Sequence, residues 1–306
     1  MTTAVGAGVV VALLREGQAR LESVGLPSAR QDAEWLLATL LGVDRFALYL
    51  EPRRSIPTDA RDRYRASIER RALGEPLSYL LGFEDFLGLR VRVTPDVLIP
   101  RPETEGLVEW ALEILKDAPD ALVADIGTGS GAIACALAGR LPRIEVLAVE
   151  RSLGALAVAS ENARAFGLSR RVRILAGDLF GPLSGVRRAL DLVVANPPYL
   201  PSAVIGTLPR EVAAFEPRMA LDGGPDGMAV LRRIITGAPT VLRAGGWLLL
   251  EIGEDQAGSL ASLMAAEGFS AIAARRDLRG VERYIAGRLG DDAVPAGRRQ
   301  EPGPGC

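Results

Sequence analysis

The chain of 306 residues has no histidine, and that absence narrows its chemistry at once. Without imidazole there is no Ser-His-Asp or Cys-His nucleophile system, no His-ligated metal site and no access to the commonest general base. Cysteine is scarce too. Cys135 and Cys306 are the only two, too few for a structural zinc and, by position, not a pair. Cys135 is expected inside a helix beside a glycine loop and Cys306 at the end of a tail; no metal is expected, and a reducing cytoplasm suits both thiols. Long apolar runs are also missing, since none reaches the roughly 18 residues that a membrane span requires. Val5 to Leu14 resembles the apolar part of a signal peptide, but no basic segment precedes it and Arg15-Glu16 follow without an obvious cleavage site. The expectation is a soluble, cytoplasmic protein with no membrane partner. Nor does one sign of charge dominate. Lys and Arg number 36 against 38 Asp and Glu, interspersed, for a formal net charge of -2, so there is no broad basic field to hold a nucleic-acid backbone.

What is present is apolar material, 48% of the residues, enough for one large domain and a small one. Helical spacing fills the first part: Val9 to Val24, Ser28 to Leu41 with Ser28 as N-cap, and Thr58 to Leu73. This helical segment either shields the rest of the protein or docks a protein substrate. From Leu77 to Val93 apolar and aromatic residues alternate around Gly82 and Gly88, the pattern of two short strands in a hairpin. A helix is expected from about Glu103 to Lys116. Thereafter short apolar runs alternate with helical segments. The expected strands are Leu122 to Ile126, Ile144 to Glu150, Val172 to Ala176, Leu190 to Ala195, Trp247 to Ile252, Ala271 to Arg276 and Glu282 to Ala286. Such alternation gives a mostly parallel, doubly wound α/β sheet. The last two runs are separated only by Asp277 to Val281, too short for a crossover, so they pair antiparallel. A seven-stranded sheet ending in an antiparallel hairpin belongs to Rossmann-like methyltransferases, as opposed to nicotinamide dehydrogenases.

Asp125-Ile126-Gly127-Thr128-Gly129-Ser130-Gly131 closes the first of these strands and opens a helix with its body at Ala132 to Leu141. Glycines let the backbone approach a ligand closely, and a helix N-terminus adds unpaired N–H donors. The pattern also fits a dinucleotide fingerprint, with Glu150 as the acidic residue closing the second strand. Both cofactors carry an adenosine ribose that a Glu150 carboxylate can bind. Asp125 inclines the choice toward S-adenosylmethionine, since a carboxylate beside the loop suits an ammonium-bearing cofactor and repels a pyrophosphate. Gly177-Asp178-Leu179-Phe180, after the third strand, adds an acceptor and apolar surface for an adenine; read by itself it is equally a simple turn.

The fourth strand ends in Asn196-Pro197-Pro198-Tyr199. Open α/β sheets bind ligands at the carboxyl ends of their strands, so this tetrapeptide faces the cofactor. Asn-Pro pairs also make ordinary turns. Two adjacent prolines, however, leave a stiff backbone with carbonyls and no N–H to give. An acceptor-rich floor of this kind suits an NH2 group on a planar system. The Asn196 side-chain oxygen and the Pro197 carbonyl can accept its two hydrogens while the Tyr199 ring packs against the flat group.

With those motifs in hand, the chain resembles the bacterial release-factor glutamine methyltransferases, the HemK/PrmC family. The resemblance runs through Pro76-Leu77-Ser78-Tyr79 with Gly82 and Phe86, then Leu98-Ile99-Pro100-Arg101-Pro102-Glu103-Thr104-Glu105, the Asp125 to Gly131 loop and Gly177-Asp178-Leu179-Phe180. It continues through Asn196-Pro197-Pro198-Tyr199, Phe215-Glu216-Pro217 with Ala220-Leu221, and Leu250-Glu251-Ile252-Gly253 with Gln256. It implies a class I methyltransferase whose helical docking domain (1–75) and β-hairpin linker (76–102) precede a catalytic domain (103–289). The remaining tail (290–306), rich in Gly, Pro and Arg, reads as disordered. The target it implies is the side-chain amide nitrogen of the glutamine in the Gly-Gly-Gln loop of a release factor. Separately, nothing in the sequence suggests an obligate dimer, and a monomer is expected. Cofactor contacts carry over to Gly127, Thr128, Gly129, Ser130, Gly131, Glu150, Leu179 and Asn196, beside Asp125 and Asp178 from the reading above. Substrate contacts carry over to Asn196, Pro197, Pro198 and Tyr199. Glu150 stands where Asp is usual in the family, and Leu179 where some relatives place an aromatic.

Three rivals remain. A DNA amino-methyltransferase uses the same tetrapeptide but needs a base-flipping route and a basic recognition region, which this composition lacks. A ribosomal-protein glutamine methyltransferase shares the chemistry, although Arg101-Pro102-Glu103-Thr104-Glu105 resembles the release-factor branch. A silent adaptor would not need both an intact cofactor loop and an intact tetrapeptide.

Overall fold

A computed structural model of the chain describes residues 9–186 and 188–291. The opening of the signal-like stretch, Cys306 and the expected tail from residue 292 onward lie outside the described residues. Among the described residues two units form, one from residue 9 to Phe83 together with Pro209–Phe215, the other from Glu84–Leu208 together with residues 216–291.

In the first unit the apolar positions do what their spacing dictates. Helices Val10–Glu22, Ala29–Leu41 and Thr58–Ala72 bury Val10, Leu13, Leu21, Ala33, Leu36, Leu37, Tyr64 and Ile68 in one core. Ser28 occupies the N-cap position but its side chain makes no capping bond. At the other end Gly42, at φ 63°, closes the helix in the left-handed conformation that glycine tolerates. A short helix, Ala47–Leu50, escaped the periodicity reading because four residues show no period. A second short helix, Leu77–Leu81, corrects the expectation of a strand there. A brief apolar run is ambiguous between the two states, and Pro76 before it with Gly82 (φ 82°) after it settles the matter. Pro209–Phe215 contributes Glu211, which joins Asp32 on the buried Arg71 guanidinium at 2.9 and 2.7 Å.

The second unit opens with a hairpin, β1 (Phe83–Phe86) and β2 (Leu89–Arg92). Its two-residue turn places both Leu87 (φ 49°) and Gly88 (φ 83°) at positive φ, as the twist of paired strands favours. Then come β3 (Leu122–Ile126), β4 (Glu145–Glu150), β5 (Val172–Ala176), β6 (Leu190–Ala195), β7 (Leu242–Glu251), β8 (Phe269–Arg276) and β9 (Glu282–Leu289). The sheet order is β5-β4-β3-β6-β7-β9-β8. Pairing is parallel from β5 to β7, and β9 runs antiparallel to both neighbours. This is the expected α/β architecture of seven mostly parallel strands with an antiparallel end.

Successive residues feed opposite faces. Val123, Val146, Leu192 and Val194 join one core with helices Pro102–Leu115 and Ala132–Arg140, whereas Ala124, Leu147, Val193 and Ala195 join another with Ala229–Gly237 and Ala257–Ala266. Because both faces are covered, these strands read as continuous apolar runs. β7 starts five residues before the expected Trp247, as Gly245 (φ 71°) and Gly246 absorb a register shift opposite Leu190 and Leu192 without ending the strand. The strand order reverses between β3 and β6, which opens a crevice at their carboxyl ends. Among the described residues, no helix is long and apolar enough to cross a membrane.

Gly17 faces the core of the first unit, where an added Cβ would collide with the Tyr64 hydroxyl and stand 2.9 Å from Ile68 Cδ1. Tyr64 is fully buried and has no room to retreat. Gly17→Ala is expected to destabilise the protein by about 1–3 kcal/mol, read as a lower midpoint in urea unfolding.

Candidate active site

The crevice is a cavity of about 510 Å³, within the range of roughly 300–1,000 Å³ typical of small-molecule sites. Gly127, Thr128, Gly129 and Ser130 line it after β3, Glu150 after β4, Asp178 and Leu179 after β5, and Asn196, Pro197 and Pro198 after β6. Ten of the expected site residues are thus brought together. Asp125, Gly131 and Tyr199 are not among the lining residues.

The glycine loop is held from below. Gly127 (φ 73°) and Gly129 (φ 56°) adopt left-handed backbone, and the Gly127 and Thr128 N–H groups donate to the Val149 carbonyl at 2.9 and 3.0 Å. Asp125 is wholly buried. Its Oδ2 accepts from Thr128 Oγ1 at 2.5 Å and from the Ala134 N–H at 3.2 Å; its Oδ1 is buried with no hydrogen-bond partner among the described residues. The carboxylate therefore clamps the loop onto the helix and does not reach the cavity, a correction to its expected direct contact. Burial pushes its pKa up to about 7, despite the opposing bonds from Thr128 and Ala134.

Glu150 performs a similar service one strand over. Its Oε2 accepts from the Gly129 N–H at 3.0 Å, and its Oε1 from the N–H groups of Arg151 and Ser152 at 2.8 and 2.9 Å. Three of the roughly four acceptor directions of the carboxylate are engaged, and the longer Glu arm is what lets it touch both loops. Asp178 pairs with Arg233 at 2.6 Å. Its neighbour Leu179, at φ 49°, holds a left-handed backbone that a branched aliphatic residue adopts only under local constraint.

The tetrapeptide after β6 is fixed from several sides. Asn196 Nδ2 donates to Thr104 Oγ1 at 3.0 Å, and Thr104 Oγ1 donates to Glu251 Oε2 at 2.7 Å. Gln256 Nε2 donates to the Tyr199 carbonyl at 3.0 Å. Leu200 exchanges backbone bonds with the 221–223 segment: its N–H donates to the Leu221 carbonyl at 3.1 Å and its carbonyl accepts from the Gly223 N–H at 2.8 Å. The Tyr199 hydroxyl donates to Glu251 Oε1 at 3.3 Å, and the Arg283 guanidinium lies 5.9 Å from the ring centroid. These contacts hold the ring beside Glu251 and Arg283; the sequence reading had it packing against the flat acceptor group. Glu251 is 1% exposed at the end of β7, and burial raises its pKa to about 7, against the opposing Thr104, Arg283 and Tyr199.

Sequence reasoning assigned no site role to Val97, Leu98, Pro100, Arg101 and Thr104, although all line the cavity. Their segment is drawn in by Glu216, which accepts from the Ile99 N–H at 3.3 Å and pairs with Arg101. The compositional cue was the Pro-Arg-Pro stretch before the helix, a rigid strap that needs something to lie against.

A switch-point crevice combining a glycine loop after β3, an acidic residue ending β4 and an Asn-Pro-Pro corner after β6 defines a class I methyltransferase. Residues 109–206 match the methyltransferase small domain and residues 12–82 the PrmC N-terminal domain. The chain is 44% identical over 271 residues to a release factor glutamine methyltransferase of Geobacter sulfurreducens, covering 88% of this chain and 93% of that one. It is 46% identical over 255 residues to a release factor glutamine methyltransferase of Moorella thermoacetica, covering 83% and 89%. The chain belongs to the release factor glutamine methyltransferase family. At the level of fold alone, it is similar to the hMettl16 catalytic domain solved with an RNA hairpin, with a TM-score of 0.56 and 20% identity over 74% of this chain and 84% of that one.

The buried Asp125 carries a testable pH signature. The folded protein holds this proton with a pKa near 7, whereas the ordinary value is 3.8. The group therefore favours folding fully below the lower value, and that contribution is lost as pH rises through the higher one. Asp125→Asn removes the titration. Unfolding free energies from denaturant titrations are expected to shift in favour of the variant as pH is raised from about 5 to about 8.

Proposed function

We propose that the protein transfers a methyl group from S-adenosylmethionine to the side-chain amide nitrogen of the glutamine in the Gly-Gly-Gln loop of peptide chain release factors. The observation that carries this is the Asn196-Pro197-Pro198 corner sharing one cavity with the glycine loop, in a chain that covers 93% of a relative of that name.

The residues present fit the cofactor. Gly127 and Gly129 leave open space where a Cβ would stand, with no heavy atom closer than 4.0 Å, so a ligand can lie against bare backbone. Glu150 offers its remaining acceptor capacity to a ribose diol. Leu179, with Ile126, Val230 and Ile234 on the same cavity wall, supplies an apolar bed for an adenine. The unpaired Oδ1 of Asp125 leaves a negative potential under the loop that favours a cationic ligand over a pyrophosphate. When bound, S-adenosylmethionine supplies an electrophilic methyl: the amide nitrogen's lone pair forms the new C–N bond as the C–S bond breaks, leaving a neutral thioether.

The chain's own residues orient the acceptor. An amide nitrogen is a poor nucleophile because its lone pair is delocalised into the carbonyl. Asn196 Oδ1 and the Pro197 carbonyl accept its two hydrogens, which holds the lone pair toward the methyl and favours pyramidalisation. The product's extra proton passes to solvent. The helical unit serves to engage the release factor.

The test is to incubate the purified protein with a release factor and labelled cofactor and to map the label by peptide mass spectrometry. Label is expected on the loop glutamine; label only on a ribosomal protein or on nucleic acid overturns the proposal. Asn196→Ala is expected to lower kcat, measured at saturating cofactor, by about 100-fold or more, well beyond any change in the cofactor's Kd measured by calorimetry.

A further inference from the structure

We infer that Thr104 and Glu251 are positioning residues that set the side-chain amide of Asn196, so that its oxygen and not its NH2 meets the methyl acceptor. This rests on the acceptor role proposed for Asn196. Neither residue belongs to the tetrapeptide, and they lie 92 and 55 positions from Asn196 along the chain.

The argument is one of proton counting. A threonine hydroxyl carries a single proton. At 2.7 Å from the Glu251 carboxylate, Thr104 gives that proton to Oε2. Its oxygen is then free only to accept, so the Asn196 atom 3.0 Å away is the Nδ2 donor. With Nδ2 tied inward, Oδ1 is the end presented to the cavity that Asn196 lines. Were Thr104 to donate to Asn196 instead, the amide would turn over. Its NH2 would then meet the NH2 of the incoming glutamine, donor against donor, and both would be left unpaired in a pocket shielded from water.

What keeps the proton on the correct side is the charge of Glu251. The groups facing it are Thr104 and Glu103 from helix Pro102–Leu115, the Tyr199 hydroxyl from the loop after β6, and Arg283 and Tyr284 from β9. Tyr199 is held protonated by burial and by the nearby Glu251 charge, so it too can only donate to the carboxylate. Arg283 is anchored by Asp277 at 3.3 Å and donates to the Ile252 carbonyl at 3.1 Å. It balances the buried carboxylate by charge while its hydrogen bonds go to Asp277 and Ile252. Protonated Glu251 would become a donor toward Thr104, releasing the threonine proton toward Asn196. The device is therefore set when Glu251 is ionised, and with a pKa near 7 it is lost as pH falls through neutrality.

The test compares three variants with release factor as methyl acceptor. Thr104→Val, which keeps shape and loses the hydroxyl, is expected to lower kcat by about tenfold to a hundredfold, with the cofactor's Kd and the KM for release factor changing much less. Thr104→Ser restores the hydroxyl and is expected to recover kcat to within about threefold of the parent. In the parent, kcat is expected to rise with pH through about 7. Glu251→Gln, whose amide oxygen still accepts from Thr104, is expected to flatten that rise. A Thr104→Val protein with kcat within about threefold of the parent overturns the inference, as does a pH rise no shallower in Glu251→Gln than in the parent, the residual slope from Asp125, with its own pKa near 7, being common to both. If Glu251→Gln fails to fold, the threonine pair decides by itself. A parent protein that labels no release factor sinks the proposed function, and this inference with it; a parent that labels the loop glutamine with an indifferent Thr104→Val sinks the inference alone.

Discussion

A carboxylate removed from water must be met by hydrogen-bond donors, and three such carboxylates organise the crevice. Asp125, Glu150 and Glu251 stand at or next to the ends of β3, β4 and β7, with 0%, 9% and 1% of their surface exposed. Each recruits donors from the loops that follow or overlie its strand. Asp125 takes Thr128 and the Ala134 N–H, Glu150 takes the N–H groups of Gly129, Arg151 and Ser152, and Glu251 takes Thr104 and Tyr199. Loops at the carboxyl ends of parallel strands would otherwise be the least constrained backbone in the sheet. Here the demand of a buried charge for partners makes them the most determined.

The same demand leaves a stress. Asp125 and Glu150 repel one another, and burial drives the proton affinity of both Asp125 and Glu251 up toward neutrality. A protein selected for stability alone would replace such groups with amides or apolar residues. Their retention is intelligible if the crevice receives a positively charged ligand, because negative potential focused in a low-dielectric cleft raises the affinity for a cation. The raised proton affinities and the proposed binding of a sulfonium and an ammonium are then two views of one charge distribution.

How much of this could be read in advance depends on how local each determinant is. β3, β5 and β6 begin and end where their apolar runs do, and Gly127, Gly177 and Asn196-Pro197 close them directly in the sequence. The glycine loop and the tetrapeptide were legible for the same reason, each being a contiguous word. Leu77–Leu81 was misread as a strand because a five-residue apolar run carries no period. The bond from the Tyr199 hydroxyl to Glu251 was not legible at all, because the two lie 52 residues apart and a hydrogen bond between distant residues leaves no periodic trace. Thr104 illustrates the same limit: it sits in a stretch that resembled the family as a whole, yet its two partners lie 92 and 147 residues away.

A chain without histidine also invites the question of which group removes the proton from the methylated nitrogen. Glu251, with its pKa near 7, has the proton affinity of a general base. Its position denies it that role. Both of its oxygens accept from Thr104 and Tyr199, it is not among the residues lining the cavity, and Thr104 stands between it and Asn196. A base is in any case unnecessary, because an amide nitrogen that has gained a methyl and kept both hydrogens is strongly acidic and gives one to water unaided. The difficulty of the proposed reaction lies before transfer, in persuading a delocalised lone pair to face the methyl group. That is a problem of orientation, and the proposed acceptor corner, set by a buried carboxylate, would answer it with hydrogen bonds alone.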